Sequence, residues 1–150
     1  MGTPQHQMLA GHTVDGGGLV RTLTLREGLW FHNGTPVLAR EVVASLRPWS
    51  TRDAMGDALT PATDELSARD GKTLVFRLKR PFPTLPAARA KPTSLIPAIM
   101  PERLASWPTE KSLAEAVGSR PFRFVTDERV SAVPIVSATF ERCVRLTARP

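Results

Sequence analysis

The sequence predicts an α+β fold in which antiparallel β-hairpins are flanked by short helices. Three observations carry that expectation. Residues 19–26 and 73–79 alternate apolar and polar side chains with the period of two that marks a half-buried strand. Residues 39–46 switch to the i, i+3, i+4, i+7 spacing of an amphipathic helix. The 14 prolines interrupt nearly every other candidate helix, which excludes long helices and a coiled coil.

Taken in order, residues 8–18 end in Val14-Asp-Gly-Gly-Gly18, which reads as a flexible turn. Residues 1–18 are therefore expected to be a flexible N-terminal segment. In the strand over 19–26, Leu19, Leu23 and Leu25 share one face, and Thr22, Thr24 and Arg26 the other. Arg21 falls on the apolar face, where its stem can pack and its head can snorkel outward. Glu27-Gly28 breaks the strand, Leu29-Trp30-Phe31 resumes an extended apolar path, and Asn33-Gly34 predicts a tight turn. Ala39, Val42, Val43 and Leu46 then form the helical stripe. Pro48 is expected to end that helix, because the residue before a proline is pushed out of the α region, and Trp49 to fold back onto its end.

Residues 50–61 read as a polar loop. A strand over 63–67, the dipeptide Asp70-Gly71, and the strand over 73–79 predict an antiparallel hairpin, with Leu74, Phe76 and Leu78 on one face. Residues 80–108 carry prolines at 81, 83, 86, 92, 97, 101 and 108, so only short helical turns are expected, near 85–90 and 101–106. A short helix is predicted over 109–117 with Gly118 as its stop, and a strand over 122–125. From Ser131 onward there are β-branched residues without a clean period.

A chain of 150 residues with 41% apolar and 23% charged residues is long enough for one ordinary core. The net charge of +6 invites a nucleic-acid reading, but Arg and Lys are spread along the chain without a long basic run or an Arg-aromatic platform. A small basic nucleic-acid-associated protein remains the alternative reading. The single cysteine, Cys143, excludes an internal disulfide and a cysteine metal cluster. No apolar run reaches membrane-spanning length. The N-terminal residues lack a basic segment followed by an apolar core, so a secretory signal is not expected, and the chain as written is expected to stay in the cytoplasm.

No motif supports an enzyme. His6, His12 and His32 show no ligand spacing, and no serine sits in a nucleophile elbow. Val14-Asp-Gly-Gly-Gly18 lacks the lysine of a phosphate-binding loop. Asp64 and Glu65 are neighbours on a strand and face opposite sides, so they cannot share one proton-transfer task. Catalytic residues, metal and cofactor are all expected to be absent.

Several segments together resemble the extracellular solute-binding proteins of family 5, the peptide- and nickel-binding components of bacterial ABC importers. They are Leu23-Thr-Leu-Arg-Glu-Gly-Leu-Trp-Phe-His-Asn-Gly-Thr-Pro-Val37 with the helix after it, Asp70-Gly-Lys-Thr-Leu-Val-Phe-Arg-Leu-Lys-Arg-Pro-Phe-Pro83, Ile99-Met-Pro-Glu102 and Val117-Gly-Ser-Arg-Pro-Phe-Arg-Phe124. The resemblance covers residues 8–130. It implies a partial lobe, over 19–130, of the two-lobed α/β periplasmic binding protein type II fold. It further implies a non-catalytic substrate-binding component, or a truncated remnant of one, that binds a peptide or other small solute and delivers it to permease subunits from the periplasm. No ligand residue is assigned.

Under this resemblance Trp30 and Phe31 fill the core beneath the helix, and His32 is a corner residue. Two departures stand out. Leu38 replaces the family's N-cap Thr or Ser, a loss of about 1 kcal/mol, while Glu41 can still favour the helix N-terminus. Arg120 stands where the family has a second glycine, which would strain it if the position needs positive φ. The resemblance is expected to fade around Val130, leaving 131–150 as an atypical tail consistent with a frame shift. Apolar surface left uncovered in a partial lobe predicts self-association.

Overall fold

The computed structural model describes residues 7–83, 97–108, 115–119, 122–128 and 137–142. Four strands form an antiparallel sheet: β1 (Leu9–Asp15), β2 (Val20–Leu25), β3 (Thr63–Ala68) and β4 (Thr73–Leu78), in the order β1-β2-β4-β3. Helix α1 (Ala39–Ser50) lies on one face and is followed at once by α2 (Ala54–Leu59). A short helix α3 (Glu102–Ala105) follows, and a separate two-stranded ribbon pairs β5 (Phe122–Glu128) with β6 (Ser137–Arg142).

The strands that the period of two predicts are present. Leu23 and Leu25 of β2 and Leu74, Phe76 and Leu78 of β4 are buried on the α1 side, where Val42, Val43, Leu46 and Trp49 meet them. The β3–β4 hairpin turns through residues 69–72. There the Asp70 carboxylate accepts the backbone N–H groups of Lys72 and Thr73, both at 2.8 Å, which is how an aspartate fixes a tight turn.

Helix α1 starts without a side-chain cap at Leu38, as the sequence implies. Its first N–H is satisfied from outside: Ala39 donates to the carbonyl of Gly71 at 2.9 Å, so the tip of the β3–β4 hairpin takes over part of the missing cap. Pro48 does not end α1. The helix runs through it to Ser50, because proline in the last turn removes a single hydrogen bond. Residue 49, a buried tryptophan, keeps that turn packed on the core. The turn then closes with Thr51 Oγ1 donating to the Pro48 carbonyl at 2.9 Å.

Other expectations are corrected. Residues 9–15 form β1 where the pattern predicted no element; as a largely exposed edge strand it carries little apolar alternation. Residues 54–59, expected as loop, are α2. Asp53 is its cap, accepting the Gly56 N–H at 3.2 Å, and Leu59 is its buried anchor. A Cβ at Gly56 would sit 2.5 Å from the Ser50 Cα, so only glycine permits this close approach of α2 to α1. Arg21 packs its stem as expected: the residue is 8% exposed, and its Nε is sealed without a partner, between cross-strand neighbours Val14 and Phe76.

Of the helix predicted over 109–117, residues 115–117 are described and are not helical, and the rest lies outside the described residues. The turn near 85–90 and the backbone of Arg120 also lie outside them. Residues 137–142, without a clean period, nevertheless pair with β5. Phe122, Val125 and Phe140 of this ribbon are exposed.

Candidate functional site

The stretch between β2 and α1 makes a compact corner. Val37 N–H donates to the Leu29 carbonyl and Phe31 N–H to the Thr35 carbonyl, at 2.9 and 2.8 Å, so the chain doubles back on itself. Gly34 sits at φ 82°, the left-handed region that glycine enters without strain, and its N–H closes the turn onto Phe31 at 2.9 Å. Asn33 Oδ1 accepts from the backbone N–H and the hydroxyl of Thr35 at 3.1 and 2.8 Å.

Within this corner only one of the two expected aromatics reaches the core. Phe31 is 3% exposed and Trp30 is 41% exposed. The physical reason is that adjacent residues of an extended segment point to opposite sides, and Trp30 is bridged to Pro36 on the outer side.

His32 joins the corner to a segment 86 residues later. Its N–H donates to the Gly118 carbonyl at 2.9 Å, and its Nδ1 accepts the Gly118 N–H at 3.2 Å. A Cβ on Gly118 would make ordinary contact with the imidazole Cε1 at 3.5 Å. The same segment is tied to α3, where Arg103 pairs with Glu115; the hydrogen bond from the guanidinium holds the Glu115 carboxyl below its ordinary value. Together His32, Asn33, Val117 and Arg123 line a cleft of about 400 Å³. It is a polar recess between the corner and the ribbon, with the Arg123 guanidinium engaged by Glu141 at 2.6 Å.

A second cavity of about 210 Å³ lies between α1, α2 and the β3–β4 hairpin. Its walls are Leu46, Trp49, Leu59, Leu66 and Phe76.

The histidines do not converge. His12 stands exposed on β1, His32 is in the corner, and His6 lies outside the described residues. Among the described residues there is no group of three His, Cys, Asp or Glu side chains able to hold a metal, and no helix is long and apolar enough to cross a membrane. Asp64 and Glu65 are exposed neighbours on edge strand β3, and Glu65 is spent on Arg77 at 3.2 Å.

Residues 3–142 match the family described as bacterial extracellular solute-binding proteins, family 5, middle region. The chain belongs to that family. This family 5 chain is 35% identical over 139 residues to a Sinorhizobium fredii protein named a probable peptide ABC transporter periplasmic-binding protein, y4tO. The alignment takes in 93% of the chain and 25% of that relative. Among solved structures, the family 5 chain is similar to MoaA from A. tumefaciens R10, in complex with mannopinic acid. That likeness has a TM-score of 0.73 at 24% identity, over 95% of this chain and 28% of MoaA. It is also similar to AgaA from A. tumefaciens R10, in complex with agropinic acid, with a TM-score of 0.61 at 26% identity, over 82% and 25% of the two chains.

The chain thus spans about a quarter of the length of the relatives it matches. Its fold is that of a partial piece of a periplasmic binding protein. The family match runs to residue 142, beyond Val130 where the resemblance was expected to stop, and it includes β6.

Proposed function

We propose that this chain is part of the substrate-binding component of an ABC importer, forming one wall of a receptor that clasps a small solute, with peptides the favoured class. It does no bond chemistry in this reading. The observation that carries it is the family 5 match over residues 3–142, sharpened by 35% identity to a protein named for peptide transport. Residues 19–130 would supply a partial lobe. Closure on a ligand needs two walls, so the remaining wall would come from sequence that the longer relatives carry. Working in the periplasm and handing solute to permease subunits in the membrane belong to the same proposal, as does independence of any cofactor.

The basic composition does not favour the alternative reading as a nucleic-acid-associated protein. Arg40, Lys72, Arg77, Arg103 and Arg123 each face a glutamate rather than forming a free cationic stripe.

A chimera tests the proposal. Residues 3–142 replace the aligned quarter of the Sinorhizobium fredii relative, and oligopeptide binding is measured by calorimetry. Retained binding is expected. A folded, monodisperse chimera that has lost all peptide affinity would overturn the reading, as would steeply salt-dependent retention of this chain on DNA.

A further inference from the structure

We propose that the cavity between α1, α2 and the β3–β4 hairpin is a binding site for a small apolar carboxylic acid, with the ring or alkyl group in the cavity and the carboxylate on Arg47. Leu46, Trp49, Leu59, Leu66 and Phe76 form an apolar wall around about 210 Å³. That size suits a single substituted ring, since a dry apolar cavity of roughly 150 Å³ accommodates benzene.

The polar lining decides the rest of the ligand. Three hydroxyls share the lining, and each has already committed its one proton to a backbone carbonyl. Ser50 donates to Arg47 at 2.7 Å, Thr60 to Gly56 at 2.9 Å and Thr63 to Leu59 at 2.9 Å. These hydroxyls keep only acceptor capacity, so they cannot serve a carboxylate, which is itself acceptor-only. Arg47 can. It is the one charged residue in the lining, and together with Thr60 it is exposed, so the two mark the solvent end of the cavity.

Arg47 forms no ion pair with a described residue. Its guanidinium presents a donor fork suited to a carboxylate, and its charge disfavours a cationic ligand that would otherwise use the hydroxyl lone pairs. Apolar floor and cationic lip therefore select an amphipathic monoanion.

The test uses the whole chain with three probes: phenylacetate, toluene and acetate. Thermal unfolding and Trp49 fluorescence are followed during titration. Phenylacetate is expected to raise Tm by several degrees at concentrations well above its Kd and to change the Trp49 emission. Toluene should bind about two- to fivefold more weakly, the scale of one exposed ion pair, and acetate should do nothing. Arg47→Met should weaken phenylacetate to the level of toluene and leave toluene unchanged, while Leu66→Phe, which fills the cavity, should abolish both. Arg47→Met leaves the core intact, so it decides even if Leu66→Phe fails to fold. Equal responses to acetate and phenylacetate, no response to any probe, or unchanged phenylacetate affinity in Arg47→Met would each overturn the assignment.

Discussion

The Ser45 hydroxyl accepts the Met100 N–H at 3.0 Å while its own proton goes to the Glu41 carbonyl at 2.8 Å, with the Met100 carbonyl 3.1 Å away. Ser45 belongs to α1 and is buried, so one small side chain fastens a proline-rich segment 55 residues away to the helix. Glu41, one turn earlier and also buried, adds a second fastening by accepting the N–H of Glu102 at the start of α3. Glu41 thereby serves a helix other than the one it sits in.

Removing the hydroxyl leaves the Met100 N–H without its acceptor. Ser45→Ala is expected to destabilise the chain by about 1–3 kcal/mol, the cost of an unsatisfied partly buried donor. Urea unfolding checks this: the midpoint should fall with an unchanged slope. An unchanged midpoint would mean the contact contributes nothing.

The approach of α2 to α1 makes a sharper steric prediction. A Cβ at Gly56 meets the Ser50 backbone at 2.5 Å, whereas one at Gly11 has nothing within 4 Å. Gly56→Ala should cost about 1–3 kcal/mol through forced displacement of the helix pair. Gly11→Ala should be close to neutral. Differential scanning calorimetry on the two variants compares like with like, and equal Tm values would refute the steric account.

Arg21 offers a stabilising substitution. Its Nε is sealed without a hydrogen-bond partner beneath the sheet surface. Replacing such a group by an apolar side chain of similar length removes the desolvation cost and keeps the packing. Arg21→Met is expected to raise stability by about 1–3 kcal/mol; a lower Tm would show that the guanidinium is held by interactions other than burial of its stem.

The hairpin turn carries a pH dependence. The Lys72 N–H, followed by the hydroxyl and amide of Thr73, holds the Asp70 carboxyl below its ordinary value. A depressed folded-state pKa contributes stability that is present above the unfolded value, about 3.9, and is lost as pH falls through the folded one. Acid titration followed by NMR should give an Asp70 midpoint below that of a free aspartate. In Asp70→Ala the added loss of hairpin order on acidification should vanish. A midpoint at the ordinary value would remove the prediction.

The sequence made some of this plain for identifiable reasons. Strands β2 and β4 and helix α1 are half-buried, so their apolar residues recur with a period of two or 3.6, and the Asp70-Gly71 pair marked the hairpin between β3 and β4. Where burial is slight the signal vanishes: β1 is an exposed edge, and β6 is recognised by its pairing with β5 rather than by its own pattern. Helix α2 was missed because six residues hold no full stripe, although Asp53 three residues before Gly56 was a readable cap. Pro48 misled because the rule against helical proline weighs one lost hydrogen bond and is blind to the burial of Trp49. Neither cavity is legible in the chain, since each forms between elements that only tertiary packing brings together, such as His32 and Val117 in one or Leu46 and Phe76 in the other.

The strand order β1-β2-β4-β3 sets the sequence of events in biosynthesis. The central seam joins Val20 to Arg77 and Thr24 to Thr73, so it closes a loop that contains the whole of α1 and α2. Each outer pair is a local hairpin and can form early, but the seam is a distant contact and forms slowly. A nascent chain therefore carries only the β1–β2 hairpin and an unshielded helix until residue 78 has left the ribosome, and the apolar faces of Leu23 and Val42 stay uncovered for that whole interval.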